Sequence, residues 1–109
     1  MKTNFSSLLV DDMRTLKNIT KTCRNYQNAC MAVLQYDFDV LYLDHDLGEH
    51  NTGYDFMKYC IGRDIRFKYV VVVSSNPVGR DAIGFMLKAS GYKQKNPYTF
   101  FLTKSQDSV

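Results

Sequence analysis

Four stretches of the chain are apolar almost without interruption and then open into polar residues: Phe5 to Val10, Asp39 to Leu43, Lys68 to Val73 and Tyr98 to Thr103. A strand with one wet face alternates apolar and polar positions, so runs that do not alternate predict strands covered on both faces, the pattern of a parallel sheet. The segments between them change period. Thr22 can cap a helix that carries Tyr26, Ala29, Cys30, Val33 and Leu34 on one stripe and ends near Tyr36. A second helix is predicted over Gly53 to Ile61, with Thr52 as its cap and Asp55 completing a near capping box. A third starts at Asn76-Pro77, where Asn suits the cap and Pro the first helical position, and carries Ile83, Met86 and Leu87 to a stop at Gly91.

Strand and helix therefore alternate, with two gaps. Between Asp12 and Thr22 there is room for a short strand, near Asn18 to Lys21, but not for a crossover helix. Beyond Lys104 only five residues remain, too few for a terminal helix. With 109 residues the chain is read as a single domain spanning residues 1–109.

Composition narrows the class. No apolar run approaches the roughly twenty residues that cross a bilayer, and Asp11-Asp12 end the first apolar patch before it could serve as a signal-peptide core, so a cytoplasmic protein is expected. Cys23, Cys30 and Cys60 are odd in number and form no C-x-x-C pair, which favours reduced thiols over a disulfide framework or zinc knuckle. The net charge of +3 is mild and its basic residues are scattered, which argues against nucleic-acid binding.

The chemistry gathers where the strands end. In open parallel sheets ligands collect beyond the carboxyl ends of the strands, and here those ends read Asp11-Asp12, Asp44-His45-Asp46, Ser74-Ser75-Asn76 and Lys104. Converging carboxylates resist ionisation unless a cation neutralises them, and oxygen ligands of this kind favour Mg²⁺, which leaves coordination positions for a phosphate oxygen. A hydroxyl at Ser74 can donate to a phosphoryl oxygen and Lys104 can offer it a point charge. The helix opening at Pro77 brings free amides, with Asn76 at its cap and Arg80 in its first turn as further phosphate contacts.

In this order, an acidic pair followed by strand-end aspartate, serine and lysine, the chain resembles the receiver domain of response regulators from Phe5 to Ser105. The segments LDHDLG, Leu43 to Gly48, and S-x-NPVGR, Ser74 to Arg80, are similar to those of a variant branch, the cyclic-phosphate-processing receiver-like domains. The resemblance implies a flavodoxin-like α/β fold with a parallel sheet of order 2-1-3-4-5, reduced here by loss of the first and last helices. It implies Mg²⁺ on Asp11 and Asp12, a phosphoryl acceptor or metal ligand at Asp44, and phosphate contacts from Ser74 and Lys104. Ordinary receivers carry proline after the lysine, where this chain has Ser105.

His45 and Asp46 are extra to that scheme. A histidine beside a Mg²⁺-bound phosphate can act as general acid or base, since its unperturbed pKa lies near neutrality; it can equally be a packed histidine bonded to backbone. Asp46 can cap a turn, Arg80 can be a surface residue paired with an acid, and Glu49 and His50 fall to solvent or to a mobile lid.

If the order is 2-1-3-4-5, right-handed connections put all three helices on one face of the sheet. The strands are apolar on the other face too, so a partner is expected there, most simply a second copy in a homodimer. Three readings follow: a Mg²⁺-dependent phosphoesterase acting on a cyclic phosphate or phosphodiester; a non-enzymatic receiver that accepts phosphate at Asp44 or binds a nucleotide or a phosphorylated partner; and an interaction protein working through the open face.

Overall fold

The structure, a computed structural model, describes residues 2–103. Nine elements follow in the order β1 (Thr3–Val10), β2 (Lys21–Cys23), α1 (Tyr26–Gln35), β3 (Tyr36–Leu43), α2 (Gly53–Gly62), β4 (Tyr69–Val72), α3 (Pro77–Ala89), β5 (Tyr92–Asn96) and β6 (Thr99–Leu102). They build one sheet of order β2-β1-β3-β4-β6-β5 with three helices.

The first four strands are parallel and in the expected order, with Leu8 beside Leu41, Val10 beside Leu43 and Val70 beside Leu41. These residues point to the helix layer and are fully buried there against Ala29 and Val33 of α1, Phe56, Met57 and Cys60 of α2, and Ile83 and Leu87 of α3. The three crossovers step across the sheet in one direction, so right-handed connection stacks α1, α2 and α3 side by side on one face. Each cap is local. The Thr52 hydroxyl accepts from the Asp55 amide while the Asp55 carboxylate accepts from the Thr52 amide, and the Asn76 side chain accepts from the Gly79 amide.

Three expectations are corrected. The cap of α1 is Asn25, not Thr22, because Thr22 lies inside β2, which runs later than the predicted Asn18 to Lys21. The sheet is not wholly parallel: Tyr92–Asn96 form an additional strand, and β6 runs antiparallel to β4, with Tyr69 beside Phe101 and Val71 beside Thr99. The Asn96-Pro97 turn reverses the chain, its Asn96 side chain accepting from the amides of Tyr98 and Thr99. Consequently Leu102 closes its strand at the amino end of β4, where its amide donates to the Lys68 carbonyl.

The second face lacks a helix, as expected among the described residues, but it is not wholly bare. Residues 13–20 fold over it at β1, where the Ser7 hydroxyl donates to the Asn18 carbonyl and accepts from the Thr20 amide, and Ser7 and Leu9 are buried. Val40, Tyr42, Val71 and Phe101 stay half-buried and Tyr69 exposed, a smaller apolar patch than the sequence implies. Cys23, Cys30 and Cys60 are free and buried, the Cys60 thiol raised far above its usual range by burial. No helix among the described residues is long and apolar enough to cross a membrane.

Candidate functional site

At the carboxyl rim of the parallel strands the hydrogen-bond ladder runs one residue past each strand. The Asp11 amide donates to the Cys23 carbonyl, the Asp44 amide to the Val10 carbonyl and the Val73 amide to the Leu43 carbonyl. These bonds fix the backbone from which each polar side chain rises. Asp11, Asp12 and Asp44 come together there, with one carboxylate oxygen from each lying within 4.8 Å of the others.

The close approach depends on glycines that the motifs contain. Gly48, at the end of LDHDLG, has φ +69° in the left-handed region, and a Cβ there would lie 2.8 Å from an Asp12 carboxylate oxygen. Gly53 opens α2 directly beneath Asp44: its amide donates to the His45 carbonyl at 2.7 Å, and a Cβ would fall 1.9 Å from the Asp44 carbonyl oxygen. Thus the helix after β3 butts against the strand end that carries the central aspartate.

Asp44 is the electrostatic centre. Its carboxyl sits above the usual carboxylate range, first because it is withdrawn from water and then because Asp11 repels its charge; the Ser74 hydroxyl, the His45 amide and Arg14 oppose the rise. Ser74 is buried, bonded to Asp44 and accepting from the Asn76 amide at 3.0 Å. A carboxylate trio in which one member resists ionisation is a donor set that a hard divalent cation relieves, and the chemistry of these oxygens fits Mg²⁺.

His45 stands beside the trio. Its ring packs on the first turn of α3, where a Cβ on Gly79 would overlap it, and Nδ1 lies 3.1 Å from an Asp46 carboxylate oxygen. Asp46 is thus the partner of His45 and not a fourth member of the cluster, since its own side chain is mostly exposed.

Two other expected residues are engaged with partners other than the carboxylates. The Arg80 guanidinium lies over the Tyr98 ring at 5.0 Å, on the β5–β6 hairpin, and Asn76 spends its side chain on capping α3. Lys104, expected at this rim, lies outside the described residues. Glu49, left to solvent or a lid by the sequence, instead accepts from the Tyr26 amide at the start of α1.

One cation was not anticipated. Arg14 donates through Nη1 to Asp11 at 3.0 Å and to the Val73 carbonyl at 2.7 Å, while the Met13 and Arg14 amides both donate to the other Asp11 oxygen. Arg24 ties this turn down by donating to the carbonyls of Asp11 and Arg14. The available signal was the spacing, since a guanidinium three residues beyond a strand-end aspartate can turn back onto it.

The rim is shallow. A solvent-open groove of about 560 Å³ between α1 and α2, lined by Tyr26, Asp55, Lys58, Tyr59 and Arg63 among others, contains none of the three aspartates.

Comparison with known proteins supports what the rim suggests. Searches among curated proteins and among solved structures returned no match. The family described as Cyclic-phosphate processing Receiver domain matches residues 6–89, a span that holds Asp11, Asp12, Asp44 and Ser74 and stops at the last residue of α3, before the antiparallel hairpin. Since that match covers well over half of the chain, the protein belongs to the cyclic-phosphate processing receiver domain family.

Proposed function

We propose that this chain is a Mg²⁺-binding receiver-type domain that acts on a phosphate group, hydrolysing a cyclic phosphate or another phosphodiester. The observation that carries the reading is the convergence of Asp11, Asp12 and Asp44 within 4.8 Å at the rim, with the Ser74 hydroxyl against Asp44. Asp11, Asp12 and Asp44 would hold the ion, which when bound neutralises the carboxylates and draws a phosphate oxygen to the rim.

The chain's own groups account for the remaining tasks. Ser74 turns its hydroxyl from Asp44 to a phosphoryl oxygen, a move that needs only rotation about its side-chain bond. His45 is the candidate proton carrier: with its Nδ1–H directed at Asp46, Nε2 is left to accept a proton and return it. Asp44 either attacks phosphorus itself, displacing one ester oxygen of the substrate to leave an acyl phosphate that water then hydrolyses, or serves only as ligand while water attacks and the same ester oxygen leaves.

A second reading, a phospho-accepting switch without turnover, is favoured by the half-buried position of Asp44 against a hydroxyl donor. Incubation with Mg²⁺ and either a 2′,3′-cyclic nucleotide or a small phosphodonor separates the two. Turnover of the cyclic ester, lost in Asp44→Asn, supports hydrolysis; a stable acyl phosphate without turnover supports the switch; neither reaction, with no uptake of Mg²⁺ at millimolar concentration, removes both.

A further inference from the structure

We infer that Arg14 supplies the cation that holds the phosphate at this rim. The inference rests on the proposed phosphate site and adds to it a residue that neither the motifs nor the family match singles out.

The argument begins with strand order. In the sheet β3 lies between β1 and β4, so Asp44 stands between Asp11, at the end of β1, and Val73, at the end of β4. Arg14 bonds both flanking residues through the same Nη1, to Asp11 at 3.0 Å and to Val73 at 2.7 Å. A group that touches both neighbours of β3 must cross the end of β3, which sets the guanidinium over the strand end that carries Asp44.

Its hold leaves part of the group spare. A guanidinium has five N–H donors in a planar fork. Nη1 is engaged, whereas Nε and Nη2 make no bond to any described residue. Those two nitrogens form the edge of the fork that matches two oxygens of a phosphate. The anchoring is itself supported, because Arg24 donates to the carbonyls of Asp11 and Arg14 at 3.2 and 2.6 Å. The side chain is therefore a braced donor, partly exposed, with Nε and Nη2 unused by the described residues.

The alternatives on the chain are weaker. Arg80 is engaged with Tyr98 on the hairpin. Arg24, the other guanidinium at this turn, is committed to the carbonyls of Asp11 and Arg14 and to the Thr15 hydroxyl. Three carboxylates, one divalent ion and a phosphate still leave net negative charge at the site, and Arg14 is the guanidinium that the fold ties to it.

The test is calorimetric titration of the full chain with MgCl₂, then of the Mg²⁺-saturated protein with inorganic phosphate. Three proteins are compared: wild type, Arg14→Gln and Arg14→Lys. The loss of a charge-assisted, two-pronged contact predicts that Arg14→Gln binds phosphate about 10- to 100-fold more weakly. Its Mg²⁺ affinity should hold or rise, because a positive neighbour of Asp11 is gone. Arg14→Lys should fall between, since it keeps the charge and loses the fork.

Phosphate affinity unchanged in Arg14→Gln overturns the inference while leaving the phosphate site standing. A wild type that takes up neither Mg²⁺ nor phosphate removes the site itself and the inference with it. Should circular dichroism show Arg14→Gln unfolded, Arg14→Lys decides: phosphate affinity equal to wild type refutes the role of the fork.

Discussion

Replacing Gly53 by alanine tests the contact on which the whole rim depends. A Cβ at this position would lie 1.9 Å from the Asp44 carbonyl oxygen and 2.9 Å from its carbon, both backbone atoms that cannot swing aside. Relief requires α2 and the Asp44–His45 peptide to part by more than about 1 Å, since the usual carbon–oxygen contact exceeds 3 Å. Overpacking of this kind costs about 1–3 kcal/mol, and loss of the 2.7 Å bond from the Gly53 amide to the His45 carbonyl costs about 1 kcal/mol more. The gain in helix propensity from Gly to Ala returns at most about 1 kcal/mol. A net destabilisation of about 1–3 kcal/mol corresponds to a fall in Tm of roughly 5–20 °C for a domain of this size.

Gly62, in the same helix, is the matched control, because a Cβ there would meet nothing within 4 Å. Gly62→Ala should hold or raise Tm, by up to about 1 kcal/mol in stability. Scanning calorimetry on the three proteins gives the comparison, and Mg²⁺ titration of Gly53→Ala should show weakened binding because the shift falls on Asp44. If Gly53→Ala melts with wild type, the butt joint between α2 and Asp44 does not exist as described.

Three other outcomes are expected. Burial and then Asp11 hold the Asp44 carboxyl above its ordinary value, so the folded chain grips this proton more tightly than the unfolded chain. The associated stability is complete below the ordinary carboxylate pKa and is lost as pH rises through the raised one. Without metal, Asp44→Asn should therefore melt higher than wild type at neutral pH, with the difference shrinking toward pH 4; a variant less stable at neutral pH contradicts the assignment. Tyr92→Phe should cost about 1–3 kcal/mol in urea unfolding, because the Phe67 amide, buried, donates to the Tyr92 hydroxyl at 3.0 Å and would lose its acceptor; an unchanged midpoint sinks that account. We propose, finally, that the sheet face carrying Tyr42, Tyr69, Val71 and Phe101 pairs two copies: sedimentation should give a dimer at micromolar concentration and a monomer for Phe101→Glu, whereas a monomeric wild type refutes it.

The parallel half of the fold was legible because its residues obey local rules. Leu8 to Val10, Leu41 to Leu43 and Val70 to Val72 sit in unbroken apolar runs, and the caps at Thr52 and Asn76 use side-chain chemistry that needs no tertiary partner. The carboxylate trio was legible for a related reason: in parallel strands the carboxyl ends share one rim, so Asp11, Asp12 and Asp44 had to meet. The last strand escaped because direction is not written in an apolar run. Thr99 to Leu102 reads the same in either orientation, and only the Asn96-Pro97 turn, overlooked beside the polar segment from Lys93 to Asn96, marks the reversal. Arg14 was passed over, and the partner of Arg80 could not be read, for want of packing information. Whether a long cationic side chain turns to an acid, a carbonyl or an aromatic ring depends on neighbours distant in sequence, here Val73 for one and Tyr98 for the other.

The two margins of the sheet bear on how the protein can assemble. On one side β5 presents Lys93, Gln94, Lys95 and Asn96, all exposed, and on the other β2 is only three residues long. Charged or abbreviated margins discourage a neighbouring chain from adding its own strand. Growth into ribbons or fibrils by lateral accretion is thereby suppressed, and any higher-order species should be a closed, face-stacked one.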